Sequence, residues 1–297
     1  MTASGTAVFM AYLRLLRPHQ WVKNGFIFLP LVFSQNLGSS ELWYKSVFAF
    51  LAFSFISSGI YIINDLRDRE EDRFHPEKSL RPLASGKVRP APAAAQAFIV
   101  LLAGLLLAGV LPALVYLPLL AYLALQVLYT FLFKRLVILD ALAIAVGFVL
   151  RVVAGALAIT VPMSSWLLLC TFFLALFLAF CKRRNELGLI DSGAHRRVLE
   201  EYSEKFLDQL ITTSAAITIL CYALYASSPV TAEKFHTPWL VLTVPFVAYG
   251  VYRYQFLVLV RNRGGNPVGI LFGDRPFALN FALWMAAAFA IVYWEVL

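Results

Sequence analysis

Residues 64–86 read NDLRDREEDRFHPEKSLRPLASG. Asn64, Asp68 and Asp72 recur every four residues, so on a helix they share one face at successive turns, with Asp65 beside them in a second row of 65, 68 and 72. Carboxylates stacked this closely repel one another unless a cation lies among them. Hard oxygen donors with open positions suit Mg²⁺, which binds through one or two carboxylates and completes its shell with water and substrate phosphates. Asn64, Asp68 and Asp72 are therefore the candidate metal ligands. Asp65, Asp68 and Asp72 are the candidate catalytic carboxylates, with Asp65 the best-placed base should the chemistry need one. Lys78 and Arg81 follow in a loop turned by Pro76, Pro82 and Gly86, where they suit the same phosphates. The competing reading is a solvated helix end laced by i,i+4 ion pairs. Four ligand-type residues at helical spacing directly after an apolar run are hard to obtain by chance.

A second charged stretch, KRRNELGLIDSGAHRRVLEEYSEKFLDQL, begins at Lys182. Lys182, Arg183 and Arg184 with one close carboxylate, Glu186, make a poor metal site. Lys182 and Arg183 suit direct phosphate binding, against the simpler reading of a topology anchor. Glu186 stands four residues from Lys182 and is placed to orient it. Lys23 and Asn24 lie at the mouth of the first apolar run, beside Trp21; Lys23 is read as a phosphate contact or a snorkelling lysine. Lys134 opens the link after the fourth run. Asp140 and Arg151, about 16 Å apart on one helix, are read as an interhelical lock or a ligand contact. Asp274 is read as an N-cap ahead of substrate binding. Glu201 and Tyr202 fit a pocket or a helix surface equally.

The elements that position these groups follow from composition. Of 297 residues, 61% are hydrophobic and 14% charged. A soluble domain is nearer half apolar and a quarter charged, so disorder, a coiled coil and an ordinary soluble enzyme are excluded. Nine apolar runs lie near residues 21–38, 44–64, 92–111, 114–133, 137–159, 163–181, 207–228, 237–258 and 276–295, each near the length of a bilayer-crossing helix. Of the 25 Lys and Arg, 22 fall in the N-terminal segment and the even-numbered links. The positive-inside rule then puts the N-terminus and the charged links in the cytoplasm and, after nine spans, the C-terminus outside. The acids gather in the same places: six of 17 lie between Asp65 and Glu77, and six between Glu186 and Asp208. Topology alone does not need them there. Residues 8–17 read as an amphipathic piece within an interfacial segment, 1–20. Without a Gly/Ser linker the chain is expected to be one domain, 1–297, with cytoplasmic site loops at 65–91 and 182–206. The net charge of +8 fits anionic headgroups or an anionic substrate; no nucleic acid partner is expected. Cys170, Cys181 and Cys221 read as small core hydrophobes, and no His or Cys spacing suggests zinc.

The stretch from Asn64 to Gly86 resembles the NDxxDxxxD motif and following loop of the UbiA superfamily of intramembrane prenyltransferases. The resemblance spans the chain by its run count. It implies an all-α, polytopic fold of nine helices around a central cavity open to the cytoplasm, Mg²⁺ on Asn64, Asp68 and Asp72, and residence in the inner (plasma) membrane among its lipids. At the second site the sequence departs: the usual second Asp-rich motif is replaced by KRRNE. That departure, with RPHQWVKNGFIFLPL, LDALAIAVGFVLRVVAGALA, the later LEEYS and GDRPF, is similar to one branch, the decaprenyl-phosphate phosphoribosyltransferases. This implies phosphoribosyl diphosphate as donor, a polyprenyl phosphate as acceptor, and a polyprenylphosphoryl-5-phosphoribose product that feeds cell-envelope arabinose donors. Lys134 would then meet the 5-phosphate or the lipid phosphate, and Glu186 a ribose hydroxyl if it does not orient Lys182. Diphosphate would leave C1 with inversion, and an acceptor phosphate already ionised at pH 7 needs no base. The alternatives are prenyl transfer to an aromatic acceptor, and anion transport, which the absence of internal repeats disfavours. Self-association into a homo-oligomer is left open.

Overall fold

The computed structural model describes residues 3–74, 78–188, 199, 201–263, 265 and 267–294, with side chains from residue 8 onward except Val268. His75, Pro76, Glu77 and most of 189–200 lie outside the described residues. The described residues form helices, turns and loops, with no strand. They divide into two compact units, Met1–Phe133 with Leu150–Pro162, and Lys134–Val149 with Met163–Leu297.

The first unit begins with α1 (Ala3–Leu15), whose Ala11 and Leu15 are buried while Val8, Phe9 and Met10 are exposed. Next come an eleven-residue 3₁₀ segment (Pro18–Phe28) and the short α2 (Leu29–Phe33). The long α3 (Ser40–Arg67) starts where Ser39 accepts a hydrogen bond from Leu42 N. It is followed by α4 (Arg69–Asp72), α5 (Pro90–Ala108) and α6 (Tyr116–Phe131). Glycines let α3 and α5 meet closely. A Cβ on Gly59 would stand 2.5 Å from Leu101 Cγ, and one on Gly104 2.9 Å from the Ala52 carbonyl oxygen. One apolar cluster packs Phe53, Ile56, Leu119 and Tyr122; another packs Leu15, Ile62, Leu83, Val88 and Ala97. Leu83 and Val88 belong to the loop before α5, so their burial anchors the loop that carries Arg81. Gly86, at φ +74°, takes the turn in that loop that residues with a Cβ disfavour.

α7 (Leu139–Ala158) opens in the second unit and contributes its last residues, from Leu150, to the first. The second unit continues with α8 (Ser165–Leu187), α9 (Glu204–Ser227), α10 (Pro229–Phe235), α11 (Val244–Leu259), α12 (Pro267–Gly273) and α13 (Arg275–Tyr293). Its core gathers Ala141, Phe177, Phe180, Cys181, Ile211 and Tyr254. Cys181 and Cys221 are buried, as small core hydrophobes would be, while Cys170 is only half-buried; all three are free thiols.

Seven helices among the described residues are long and apolar enough to cross a membrane, and they match seven of the nine runs. Many of their large side chains face outward; on α5 these include Phe98, Ile99, Leu102 and Leu106. The two other runs fold differently from simple spans. Run 1 becomes the 3₁₀ segment and α2, with Pro18 and Pro30 near their starts. Run 8 becomes a 3₁₀ turn (Trp239–Thr243) leading into the 16-residue α11, with Pro245 in its first turn. Proline lacks the N–H that a continuous α-helix needs, so these runs break where they carry it.

Candidate active site

α3 carries Asn64 and Asp65 in its last turn, and Asp68 ends it in a bend. Helical register survives that bend, because Asp68 N donates to the Asn64 carbonyl (2.9 Å) and Asp72 N to the Asp68 carbonyl (2.8 Å). The three expected ligands thus remain one turn apart along the backbone. Asp65 is only 3% exposed and accepts hydrogen bonds from Arg17 and, at 3.1 Å, from Arg81 Nη1. The same Arg81 nitrogen reaches the buried Asp72 at 2.6 Å. Two buried carboxylates so share one guanidinium, which relieves the repulsion that the sequence pattern implies. Burial nonetheless pushes the Asp72 carboxyl above its usual range; Arg81 and Lys78 oppose that rise and Asp65 adds to it. Lys78 is half-buried on a 3₁₀ turn, Lys78–Leu80.

Among the described residues, no three His, Cys, Asp or Glu side chains converge as a metal cluster. The donor chemistry still fits a hard divalent ion. It offers an amide oxygen and carboxylates, and a monocation, Arg81, already sits between two of the acids.

A second set of cations lies in the same unit. Arg151, buried on α7, donates Nε to Asn24 Oδ1 (2.7 Å) and Nη2 to the Tyr122 hydroxyl (2.8 Å), with its guanidinium 4.7 Å from the Tyr122 ring centre. The Asn24 amide nitrogen donates to Ser54 Oγ (3.0 Å). Asn24, expected as a ligand contact, is thereby committed to a buried lock, and Arg151 takes the interhelical alternative. Arg17 lies 5.2 Å over the Tyr61 ring. Lys23 is half-buried, with the charges of Arg151 and Arg17 close to it. The backbones approach closely here: a Cβ on Gly155 would stand 2.1 Å from the Ile27 carbonyl oxygen.

In the second unit, Arg183 is 1% exposed and donates to the fully buried Asp140 and to Glu186 Oε2 (2.6 Å). The Tyr202 hydroxyl donates to Asp140 Oδ1 (2.9 Å) and accepts from Ile138 N (2.7 Å). Arg183, expected at a phosphate, is enclosed by carboxylates instead; Asp140 and Tyr202 both prove to be buried lock residues. Lys182, with 43% of its side chain exposed, stands 3.8 Å from Glu186, the i,i+4 relation expected of them. Lys134 is half-buried on its own 3₁₀ turn, and Glu201 is exposed. Arg184 pairs with Asp208 and Glu204. Asp274 accepts from Phe277 N (2.9 Å), which is the expected N-cap, and also binds Arg253 through both oxygens. Sequence reasoning missed Arg17 as the partner of Asp65, and the pairing of Asp140 with Arg183. A charged residue inside an apolar run signals a partner without naming it.

The model of the UbiA prenyltransferase family matches residues 26–272. A decaprenyl-phosphate phosphoribosyltransferase of Mycolicibacterium smegmatis is 32% identical over 295 residues, covering 95% of this chain and 92% of that protein. Those of Mycobacterium tuberculosis (31%, 94% and 93%) and Corynebacterium glutamicum (32%, 95% and 86%) are similar over comparable lengths. A solved UbiA homologue from Archaeoglobus fulgidus, bound to GPP and Mg²⁺, shares the fold at a TM-score of 0.71 and 23% identity, covering 95% of this chain and 99% of that one. With seven apolar helices long enough to span a bilayer and a family match across most of its length, the chain is a multi-pass membrane protein that belongs to the UbiA prenyltransferase family.

Proposed function

We propose that this chain transfers 5-phosphoribose from phosphoribosyl diphosphate to a polyprenyl phosphate and releases diphosphate. The observation that carries the reading is the end of α8, where Lys182, Arg183 and Arg184 stand in place of an acidic second metal site. The near full-length similarity to three proteins named as decaprenyl-phosphate phosphoribosyltransferases supports it.

Mg²⁺ held by Asn64, Asp68 and Asp72 would neutralise the departing diphosphate. Arg81 and Lys78 add positive charge on the same loop, where charge develops as C1–O breaks. The acceptor phosphate oxygen forms the new bond to ribose C1 from the opposite face, and the electron pair of the broken bond leaves with diphosphate. An ionised phosphate needs no deprotonation, so Asp65 serves by holding Arg17 and Arg81. Lys23 and Lys134 contact substrate phosphate, and Lys182, oriented by Glu186, binds the donor. Asn24 fixes Arg151, while Arg183 acts through Asp140 and Glu186.

The reading includes nine crossings, cytoplasmic site loops opening to the donor's compartment, and residence in the inner membrane. Helical rise supports the two additional crossings. Eleven 3₁₀ residues and five α-residues reach about 30 Å, the thickness of the hydrocarbon layer, and Trp239–Leu259 reaches slightly more.

The test is direct. Purified protein in detergent, given Mg²⁺, phosphoribosyl diphosphate labelled in the ribose and a polyprenyl phosphate, is expected to yield a labelled lipid. No labelled lipid, with turnover of prenyl diphosphate and an aromatic acid, would transfer the reading to aromatic prenylation.

A further inference from the structure

The stretch from Asp65 to Arg81 holds four arginines, Arg81 included. Arg69 and Arg73 pair with Glu70, and Arg81 pairs with Asp65 and Asp72. Arg67 differs. Its guanidinium lies 4.5 Å over the Phe131 ring, and its Nη1 is buried without a hydrogen-bond partner. The acids on either side of it in sequence, Asp65 and Asp68, do not pair with it. A buried guanidinium N–H left unsatisfied is costly, and the ring face compensates only the charge. A guanidinium nitrogen that meets no carboxylate among the described residues suits an acceptor that arrives with a ligand.

Its position indicates which ligand. On α3, Arg67 is three residues from Asn64, about 60° around the helix from the proposed metal row, and about 200° from Asp65. That flank meets the end of α6, where Phe131 is 55% exposed and Val127, Leu128 and Leu132 are exposed beside it. In a membrane this apolar rim faces lipid. Arg67 therefore stands where a headgroup entering from the bilayer approaches the row.

We infer that Arg67, braced by Phe131, binds the phosphate of the lipid acceptor through its unsatisfied N–H groups. The inference rests on the proposed phosphoribosyl transfer and assigns one substrate's phosphate to a side chain that the motif does not include. Phosphate monoester oxygens occur in both substrates; the lipid-facing rim is what favours the acceptor over the donor.

Arg67→Gln keeps length and polarity and removes charge and fork. It is expected to raise the KM for polyprenyl phosphate tenfold or more while leaving the KM for phosphoribosyl diphosphate within twofold. Arg67→Lys keeps a charge over the ring without the fork and is expected to fall between; it carries the test alone if the glutamine variant does not fold. In a second arm without donor, the wild type should bind polyprenyl phosphate more tightly than the parent polyprenol, and Arg67→Gln should erase the difference. A KM change on the donor side, unchanged kinetics in a folded variant, or a surviving preference for phosphate over alcohol would each overturn the inference. The binding arm needs no turnover. A wild type that makes no phosphoribosyl lipid, yet shows Arg67-dependent phosphate binding, would refute the proposed reaction and leave the role of Arg67 standing.

Discussion

Arg81 holds two buried carboxylates, so at the scale of single residues charge is arranged before any substrate arrives. Removing one partner of such a buried set costs about 3–5 kcal/mol, because the other charge stays buried. Arg81→Met is accordingly expected to lower the thermal midpoint as well as the turnover, whereas Asp68→Ala, whose carboxylate is less buried, should abolish turnover and leave the midpoint nearly unchanged. Unfolding curves beside rate assays separate the two.

Elements set where these side chains stand, and glycine sets the closest approaches. A Cβ at Gly155 would collide with the Ile27 carbonyl on the segment that carries Lys23 and Asn24. Gly155→Ala is expected to displace that segment and cost about a hundredfold in kcat/KM, with a lower thermal midpoint; near-normal kinetics would mean the segment does not position substrate. Asp274 caps α13 and pairs with Arg253, which holds its carboxyl below the usual range. That contribution is full above the ordinary value of 3.8 and is lost as pH falls through the lowered one. Asp274→Ala should cost about 1 kcal/mol for the cap alone, seen in unfolding at neutral pH. The cap was legible in GDRPF because capping is local. So was the i, i+4 pattern of Asn64, Asp68 and Asp72, which the backbone carries through the bend at Asp68. The partners of Asp65, Asp140 and Arg151 were not legible, since Arg17, Arg183 and Asn24 stand 48, 43 and 127 residues away. A continuous helix through residues 21–38 was expected from hydropathy; proline chemistry, present in the same letters, determined otherwise.

For the whole molecule, composition alone foretold a helical membrane protein, and seven of nine apolar runs became spanning-length helices. The nine-crossing reading makes its own forecast: reporters fused after Leu297 and within the link at Lys87 should label on opposite sides of the membrane. Labelling on one side would remove a crossing. The gathering of 22 of 25 basic residues in the same set of links has two consequences. In the proposed reading it would orient the spans, and it would concentrate positive charge on the loops where a phosphate-rich donor binds. Which donor that is forms the central claim, and a competition measures it most directly. One preparation, with Mg²⁺, is offered phosphoribosyl diphosphate and prenyl diphosphate together, with polyprenyl phosphate and an aromatic acid as acceptors, and the lipids are identified by mass. The expected product is polyprenyl phosphate heavier by one phosphoribosyl group, lost when Asp72 is replaced by Ala. A prenylated aromatic acid, with the polyprenyl phosphate unchanged in mass, would contradict the account.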